Sequence, residues 1–334
     1  MAALVFHGPG QMAVERRPRP IAGEGEVVVA VAAAGICGSE LTSFTGASGR
    51  RPPGRVFGHE VAGTVVAVGE GVTDALLGRR VAVNPLVACG QCRMCLAGRA
   101  NACPDRTLLG LHLDGGFAEE VAISAAALHP LGELDEVAGS LAEPLANAVH
   151  VARLLPAVIG QRVLVLGAGP IGLCVVAMLG VAGAASITVI DPVSNRRALA
   201  LAAGAHQAFA PDEAAAAQIA CDHVVDAVGA TESRRAAISH CPAGGCVVLV
   251  GLHTADSALP INDAIAKELR MQCSYAYTQS DFDVAMELLR RGMIPYEPWI
   301  TELALDQGQA AFQALTERLS DVTKIILRPP SVGA

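Results

Sequence analysis

Arg162-Val163-Leu164-Val165-Leu166-Gly167-Ala168-Gly169-Pro170-Ile171-Gly172 is the stretch on which the fold of this chain turns. Its first half reads as a buried strand, and the glycines fit the spacing G-x-G-x-x-G. That spacing is weak by itself. Here a helix-forming Ala/Leu/Met-rich segment follows, and then a second β-branched run, Ser186-Ile187-Thr188-Val189-Ile190, that ends in Asp191. Strand, glycine turn, helix and strand make a unit whose glycines let backbone approach a pyrophosphate at a helix N-terminus. Asp191 is placed to hold a ribose 2′-hydroxyl and would repel a 2′-phosphate, so NAD is the expected cofactor. Arg196 and Arg197 follow closely and keep NADP as the less favoured alternative. The expected cofactor contacts are Gly167, Gly169, Pro170, Ile171, Gly172, Asp191 and Arg196, with Val228 and Gly251 at the ends of further strands, 222–228 and 246–250.

Working outward, strands and helices alternate over 160–275, the pattern of a parallel sheet with crossover helices. No charged residue occurs from Val163 to Ile190, a length that could span a bilayer, but Gly167, Gly169, Pro170, Gly172, Gly180 and Gly183 interrupt it. At 334 residues, with 52% apolar and 17% charged side chains, two well-filled domains are expected and the disordered classes are excluded. A net charge of −8 without a basic run argues against nucleic acid, and 3% aromatics leaves little to stack on bases. The N-terminus lacks a basic segment followed by an apolar core, so no signal peptide is read. Ten cysteines, four of them within 89–103, suit metal binding in a reducing compartment, and the cytoplasm is the expected location.

Upstream, Phe57-Gly58-His59-Glu60 precedes a β-branched run, and Gly35-Ile36-Cys37-Gly38-Ser39-Glu40 offers a thiol between glycines. Either residue alone would be better explained as a core histidine or a buried thiol. Together, Cys, His and Glu are ligand types that zinc accepts, and three of them with one open position describe a catalytic site. Cys89, Cys92, Cys95 and Cys103 follow the pattern C-x2-C-x2-C-x7-C, which closes a tetrahedron of thiolates. An iron–sulfur cluster also uses two-residue spacers, but a redox-inert structural zinc needs no electron partner and is preferred. Glu143, beside Pro144, is either a carboxylate aimed inward or an ordinary helix-start acid.

The first 149 residues read as short strands and turns, including 3–6, 27–31, 61–68, 80–83, 108–113 and 117–123, in a partly open barrel. A short helix is expected within 35–48 and a helical stretch over 134–155. Helices are also expected at 281–291 and 305–318, and a strand at 324–327 that returns to the first domain. The segment 267–277 reads as an edge strand suited to subunit pairing, so a homodimer or homotetramer is expected.

These motifs together resemble the zinc-dependent medium-chain alcohol/polyol dehydrogenase family, nearer its sorbitol and threonine dehydrogenase branch. The resemblance rests on Gly35 to Ser39, the Gly58-His59-Glu60 signature with Gly63 and Gly69, and the four-Cys lobe at 88–104. Glu143-Pro144-Leu145, the glycine turn with Asp191, and Val225-Asp226-Ala227-Val228-Gly229 complete it. It implies an α/β fold: a GroES-like catalytic domain over 1–149, a Rossmann domain of doubly wound parallel sheet over 150–285, and a return segment over 286–334. It implies two zinc ions per subunit, the catalytic one held by Cys37, His59 and either Glu60 or Glu143, the other by the four cysteines. Glu40 would orient the histidine, in place of the usual Asp. Ser39 would accept the alcohol proton, and Thr42 stands where a histidine often ends the relay. Arg79 replaces a common Asp with no derivable effect. The implied reaction is hydride transfer between a secondary alcohol or polyol and NAD, with a threonine-type hydroxy-amino acid as the second substrate class. A non-catalytic NAD-binding structural protein is the rival from another class, and two complete ligand sets argue against it.

Overall fold

The structure, a computed structural model, describes residues 1–316 and 322–330. It divides into two compact units, Met1–Glu143 with Ile300–Ala334, and Pro144–Trp299. The first unit is built around the strand Glu26–Gly35, where Val and Ala predominate and no residue is exposed. That strand pairs antiparallel with Glu60–Val68, Glu120–Ser124 and the returning strand Lys324–Arg328. Arg80–Val83 and Leu128–Pro130 continue the sheet on one side and Ile300–Ala304 closes the other, giving seven strands among the described residues, Glu120–Ser124 being the third partner of the central strand. Register shifts between Val28 and Val29 and between Val31 and Ala33 bend the central pair, as bulges do, and curl the sheet into a partly open barrel. Its core includes Phe6, Phe44, Phe57, Phe117 and Phe312, with Phe57 at 4.8 Å from Phe6 between ring centroids.

Several expected elements are shorter than their sequence pattern. The run 108–113 is not a strand: only Thr107–Leu108 pairs, with Leu86–Val87. Gly110 takes a φ of +70°, and the Leu108 amide donates to His112 Nδ1 at 2.9 Å, so the chain turns back on itself. The helical stretch 134–155 is two helices, Glu136–Ser140 and Ala142–Leu154. Pro144 has no N–H to donate to Ser140, which breaks the ladder there and suits the first turn of the second helix. The strand expected over 117–123 begins later, at Glu120. The segment 267–277 holds strand only at Arg270–Cys273, because Glu268 and Ala276 on either side adopt positive φ. In the last helical stretch, Leu305–Gln307 is a 3-10 turn ahead of the helix Gly308–Thr316, and residues 317 and 318 of that expectation lie outside the described residues.

The second unit is a six-stranded parallel sheet. Its order is Gln207–Phe209, Ser186–Ile190, Arg162–Leu166, His223–Asp226, Cys246–Leu249, Arg270–Cys273. The order reverses between Arg162–Leu166 and His223–Asp226, the switch point at which doubly wound sheets receive ligands. The helix Pro170–Val181 buries Leu173 through Leu179, which explains the uncharged span around it. Among the described residues no helix is long and apolar enough to cross a membrane.

Candidate active site

The strand Glu26–Gly35 ends where Cys37 caps the helix Gly38–Phe44, and the neighbouring strand begins with Glu60. This adjacency brings Cys37 to His59 and Glu60, whose potential ligand atoms all lie within 4.8 Å of one another. Gly58 has a φ of +102°, and a Cβ there would stand 2.7 Å from the Phe117 amide nitrogen. A larger residue would therefore displace His59. The buried Glu40 fixes the ring: its Oε1 is 2.9 Å from His59 Nδ1 and accepts the Gly58 amide at 2.7 Å, and its Oε2 accepts the Cys37 amide at 3.1 Å. With Nδ1–H directed at Glu40, Nε2 is left for a metal. The longer acid thus reaches where an Asp is usual.

The electrostatics suit a cation. Burial opposes ionisation of Glu40, yet His59, followed by Arg51, holds its carboxyl below the usual range. Burial likewise opposes a proton on His59, but Glu40 and Cys37 raise its affinity well above the ordinary imidazole value. A metal ion bound at Nε2 has to take the place of that proton, so its binding releases one. Beneath it, Lys324 of the returning strand forms an ion pair with Glu60 Oε2 and donates to the Ile36 carbonyl at 2.9 Å. Lys324 is 2% exposed and Glu60 1%. Despite burial, Glu60, Cys37 and Glu143 keep the Lys324 ammonium above its ordinary value. Glu143 is buried and near enough to act on Lys324, but it is not one of the three groups that share the 4.8 Å cluster.

Ser39 is half-buried on the helix Gly38–Phe44, and its Oγ accepts from Arg51 Nη2 at 3.3 Å. Thr42 Oγ1 donates back to the Ser39 carbonyl at 2.9 Å, so its proton is engaged within the helix. In the Cys lobe, the Sγ atoms of Cys89 and Cys95 are 3.9 Å apart, those of Cys92 and Cys95 3.5 Å, and those of Cys103 and Cys89 3.5 Å. A tetrahedron with Zn–S bonds of about 2.3 Å has sulfur–sulfur edges of about 3.8 Å. One metal ion fits; a multi-iron cluster would hold its thiolates further apart. Amide donors at Gln91 and Cys92 lower the Cys89 thiol to about 7, whereas burial and the neighbouring thiols push Cys95 up to about 12, so without a metal the lobe favours a single thiolate, at Cys89.

Comparison with known proteins agrees with this geometry. The alcohol dehydrogenase GroES-like domain model matches residues 23–133 and the zinc-binding dehydrogenase model residues 170–291. The L-galactonate-5-dehydrogenase of Escherichia coli K12 is 32% identical over 311 residues, covering 90% of this chain and 91% of that protein. The chain belongs to the zinc-type alcohol and polyol dehydrogenase family. The sorbitol dehydrogenase of Bombyx mori is 30% identical over 315 residues, at 90% coverage of both chains. Among solved structures, an E. coli CFT073 protein described as a short chain alcohol dehydrogenase, complexed with NADH, superimposes with a TM-score of 0.91. It is 31% identical and the match covers 98% of this chain and 99% of that one.

In the Rossmann unit of this dehydrogenase, Gly169 caps the helix that Pro170 and Ile171 begin. A Cβ on Gly172 would overlap the Gly167 carbonyl, so only glycine allows the helix to sit against the turn. Asp191 is buried; its Oδ2 accepts the Ala168 amide and its Oδ1 the Val193 amide, each at 2.8 Å. Arg197 Nη1 donates to the Asp191 and Pro192 carbonyls at 2.8 and 3.0 Å, whereas Arg196 Nε has no hydrogen-bond partner among the described residues. Val228 lies over Gly167, and Gly251 meets the Gly229 backbone. Sequence reading missed two residues of the first unit. Lys324 carried no signal beyond a charge opening an apolar strand, and Arg51 was hidden in a Pro-rich link.

Proposed function

We propose that this chain is an NAD-dependent dehydrogenase that converts a secondary hydroxyl of a polyol to a ketone, releasing NADH and a proton. The observation that carries the reading is the convergence of Cys37, His59 and Glu60 within 4.8 Å in a chain of this family. Zinc held by these three residues would supply Lewis-acid polarisation of the hydroxyl, and NAD a hydride acceptor. Glu60 is favoured over Glu143 as third ligand because it lies in the cluster, with Lys324 taking only Oε2. Glu143 stands by as a hydroxyl acceptor. Glu40 holds His59 in one tautomer, and Ser39 Oγ takes the substrate proton as its own proton passes towards solvent, the Thr42 hydroxyl being engaged with the Ser39 carbonyl.

NAD is favoured over NADP because the Asp191 carboxylate is fixed at the strand end and Arg197 is occupied by backbone carbonyls. The cysteine lobe holds a second, structural zinc. A homodimer or homotetramer through Arg270–Cys273, the outermost strand of its sheet and largely exposed, is supported by that edge position. A cytoplasmic location is supported by ten cysteines that form no disulfide. The test is turnover by purified zinc-loaded enzyme across secondary alcohols, polyols and threonine, with NAD and with NADP. Reduction of NAD by polyols is expected; turnover confined to threonine, or none at all, would refute the reading.

A further inference from the structure

Arg51 is a guanidinium only 4% exposed. Its Nε donates to the Gly110 carbonyl at 2.8 Å, and its Nη1 to the Ser39 carbonyl at 2.7 Å and Ser43 Oγ at 3.2 Å. Its Nη2 donates to Ser39 Oγ at 3.3 Å, and its Cζ lies over the Phe57 ring, 5.2 Å from the centre. Two of these bonds fall on Ser39, one on the backbone and one on the side chain. They hold the hydroxyl oxygen in place on the first turn of the helix Gly38–Phe44, two residues from Cys37.

Chemistry fixes which way those bonds run. A guanidinium has donors only and keeps its protons, so Arg51 gives a hydrogen bond to Ser39 Oγ but can never take a proton from it. A serine hydroxyl has one O–H and two lone pairs. With one lone pair occupied by Arg51, the O–H has to point elsewhere, and a single lone pair is left. The neighbouring hydroxyls are engaged as well. Thr42 Oγ1 gives its proton to the Ser39 carbonyl at 2.9 Å, and Ser43 Oγ, in a residue 1% exposed, accepts from Arg51. Ser39 is half-buried, so part of it stays open to water.

Resting on the dehydrogenase reading above, in which Ser39 takes the substrate proton, we infer that Arg51 is the positioning residue that makes this transfer one-way. As the hydride goes to NAD, the substrate O–H bond breaks and its proton bonds to Oγ through the one free lone pair. The proton that Ser39 carried leaves to water, and the serine ends as it began. The inward side is closed because the group there can only donate. A partner able to accept, such as an amide oxygen or an imidazole nitrogen, would hold the serine proton inside. The same guanidinium also braces the backbone ahead of His59 through Gly110, where a Cβ would stand 2.9 Å from the Gly58 amide nitrogen.

The test is a double-mutant cycle on the zinc-loaded enzyme with a polyol it oxidises: wild type, Arg51→Lys, Ser39→Ala and the pair. Lysine keeps the charge but loses the fork, so kcat should fall roughly ten- to hundredfold, the worth of one charge-assisted hydrogen bond. KM for NAD and the zinc content should stay at wild-type values, the latter showing that the brace on His59 has held. In the Ser39→Ala background the same change should alter kcat by less than about twofold. The solvent deuterium isotope effect on kcat should rise in Arg51→Lys, because proton transfer has become the slower event; a loss of packing alone would leave it unchanged. If Arg51→Lys does not fold, Ser43→Ala, which removes one anchor of the guanidinium at little change in volume, takes its place. Its fall in kcat should be roughly two- to tenfold, with the same dependence on Ser39. Equal losses with and without Ser39, or an unchanged isotope effect, would overturn this inference and leave the dehydrogenase reading intact. A Ser39→Ala enzyme as active as wild type would remove the serine's role and this inference with it, while the metal cluster kept its function. Absence of turnover by wild type on every alcohol would defeat the dehydrogenase reading and this one together.

Discussion

Replacing Lys324 by Met removes a buried ammonium while keeping the apolar stem and nearly the volume, so the loss is electrostatic rather than a cavity. The ammonium is paired with Glu60 and donates to the Ile36 carbonyl, and neither member of the pair is more than 2% exposed. Removing one partner of such a pair leaves a buried charge uncompensated and costs about 3–5 kcal/mol. The orphaned Ile36 carbonyl adds about 1 kcal/mol. Bound zinc would take up part of the freed charge, so the measurement is urea unfolding of chelated protein. Lys324→Met should lose about 4–6 kcal/mol relative to wild type. Glu60→Gln in that background should restore about half of it, because the amide no longer strands a charge. A Lys324→Met variant within about 1 kcal/mol of wild type, or a cycle in which the two changes simply add, would refute the reasoning.

Further outcomes follow from other parts of the molecule. Cys103→Ala removes a fully buried member of the thiolate set and should cost one zinc per chain by emission spectroscopy, lower the melting temperature, and leave turnover in place. Asp191→Ala strips the bonds to Ala168 and Val193, so KM for NAD should rise roughly tenfold and the NADP-to-NAD ratio of kcat/KM should increase. Asp281 is buried, bonds His150 Nδ1 at 2.9 Å and pairs with Arg153 at 2.8 Å. Although burial opposes its ionisation, His150, Thr278 and Arg153 hold the carboxyl below its ordinary value. The stability it contributes is therefore present above the unfolded carboxyl value of about 4 and is lost as pH falls through the lower folded value. Asp281→Asn should cost about 3 kcal/mol in unfolding free energy near neutral pH, with the gap to wild type closing below about pH 4. A gap that does not change with pH would contradict that assignment.

The parts of the site legible in the sequence are those whose partners are close along the chain. The four cysteines span fifteen positions, His59 and Glu60 are adjacent, and the glycine turn announces its own strand and helix. Asp191 is read from its distance to that turn. What the sequence hid depends on long-range pairing. Lys324 meets Glu60 across 264 residues, because the last strand returns beside Glu26–Gly35. No local pattern carries that. Gly35 reads as an ordinary turn glycine, yet a Cβ there would overlap Glu60 Oε2, so its reason is the ion pair beside it. Arg51 stands beside two prolines with no local pattern to mark it, and its partners are the Gly110 carbonyl of the turn at 108–112, expected as strand, and the Ser39 carbonyl and Ser43 Oγ of the helix Gly38–Phe44. Where side-chain–backbone bonds compete with the ladder, as at His112, hydrophobic periodicity overstates the strand.

If Cys37, His59 and Glu60 hold one metal ion and the four cysteines another, the two sites should empty separately. The measurement is zinc content per chain in wild type and in Cys37→Ser purified side by side. Wild type should carry two zinc ions, one for each ligand cluster, and the variant a single remaining ion with no NAD reduction. A Cys37→Ser protein that keeps both ions and still oxidises its alcohol would contradict it.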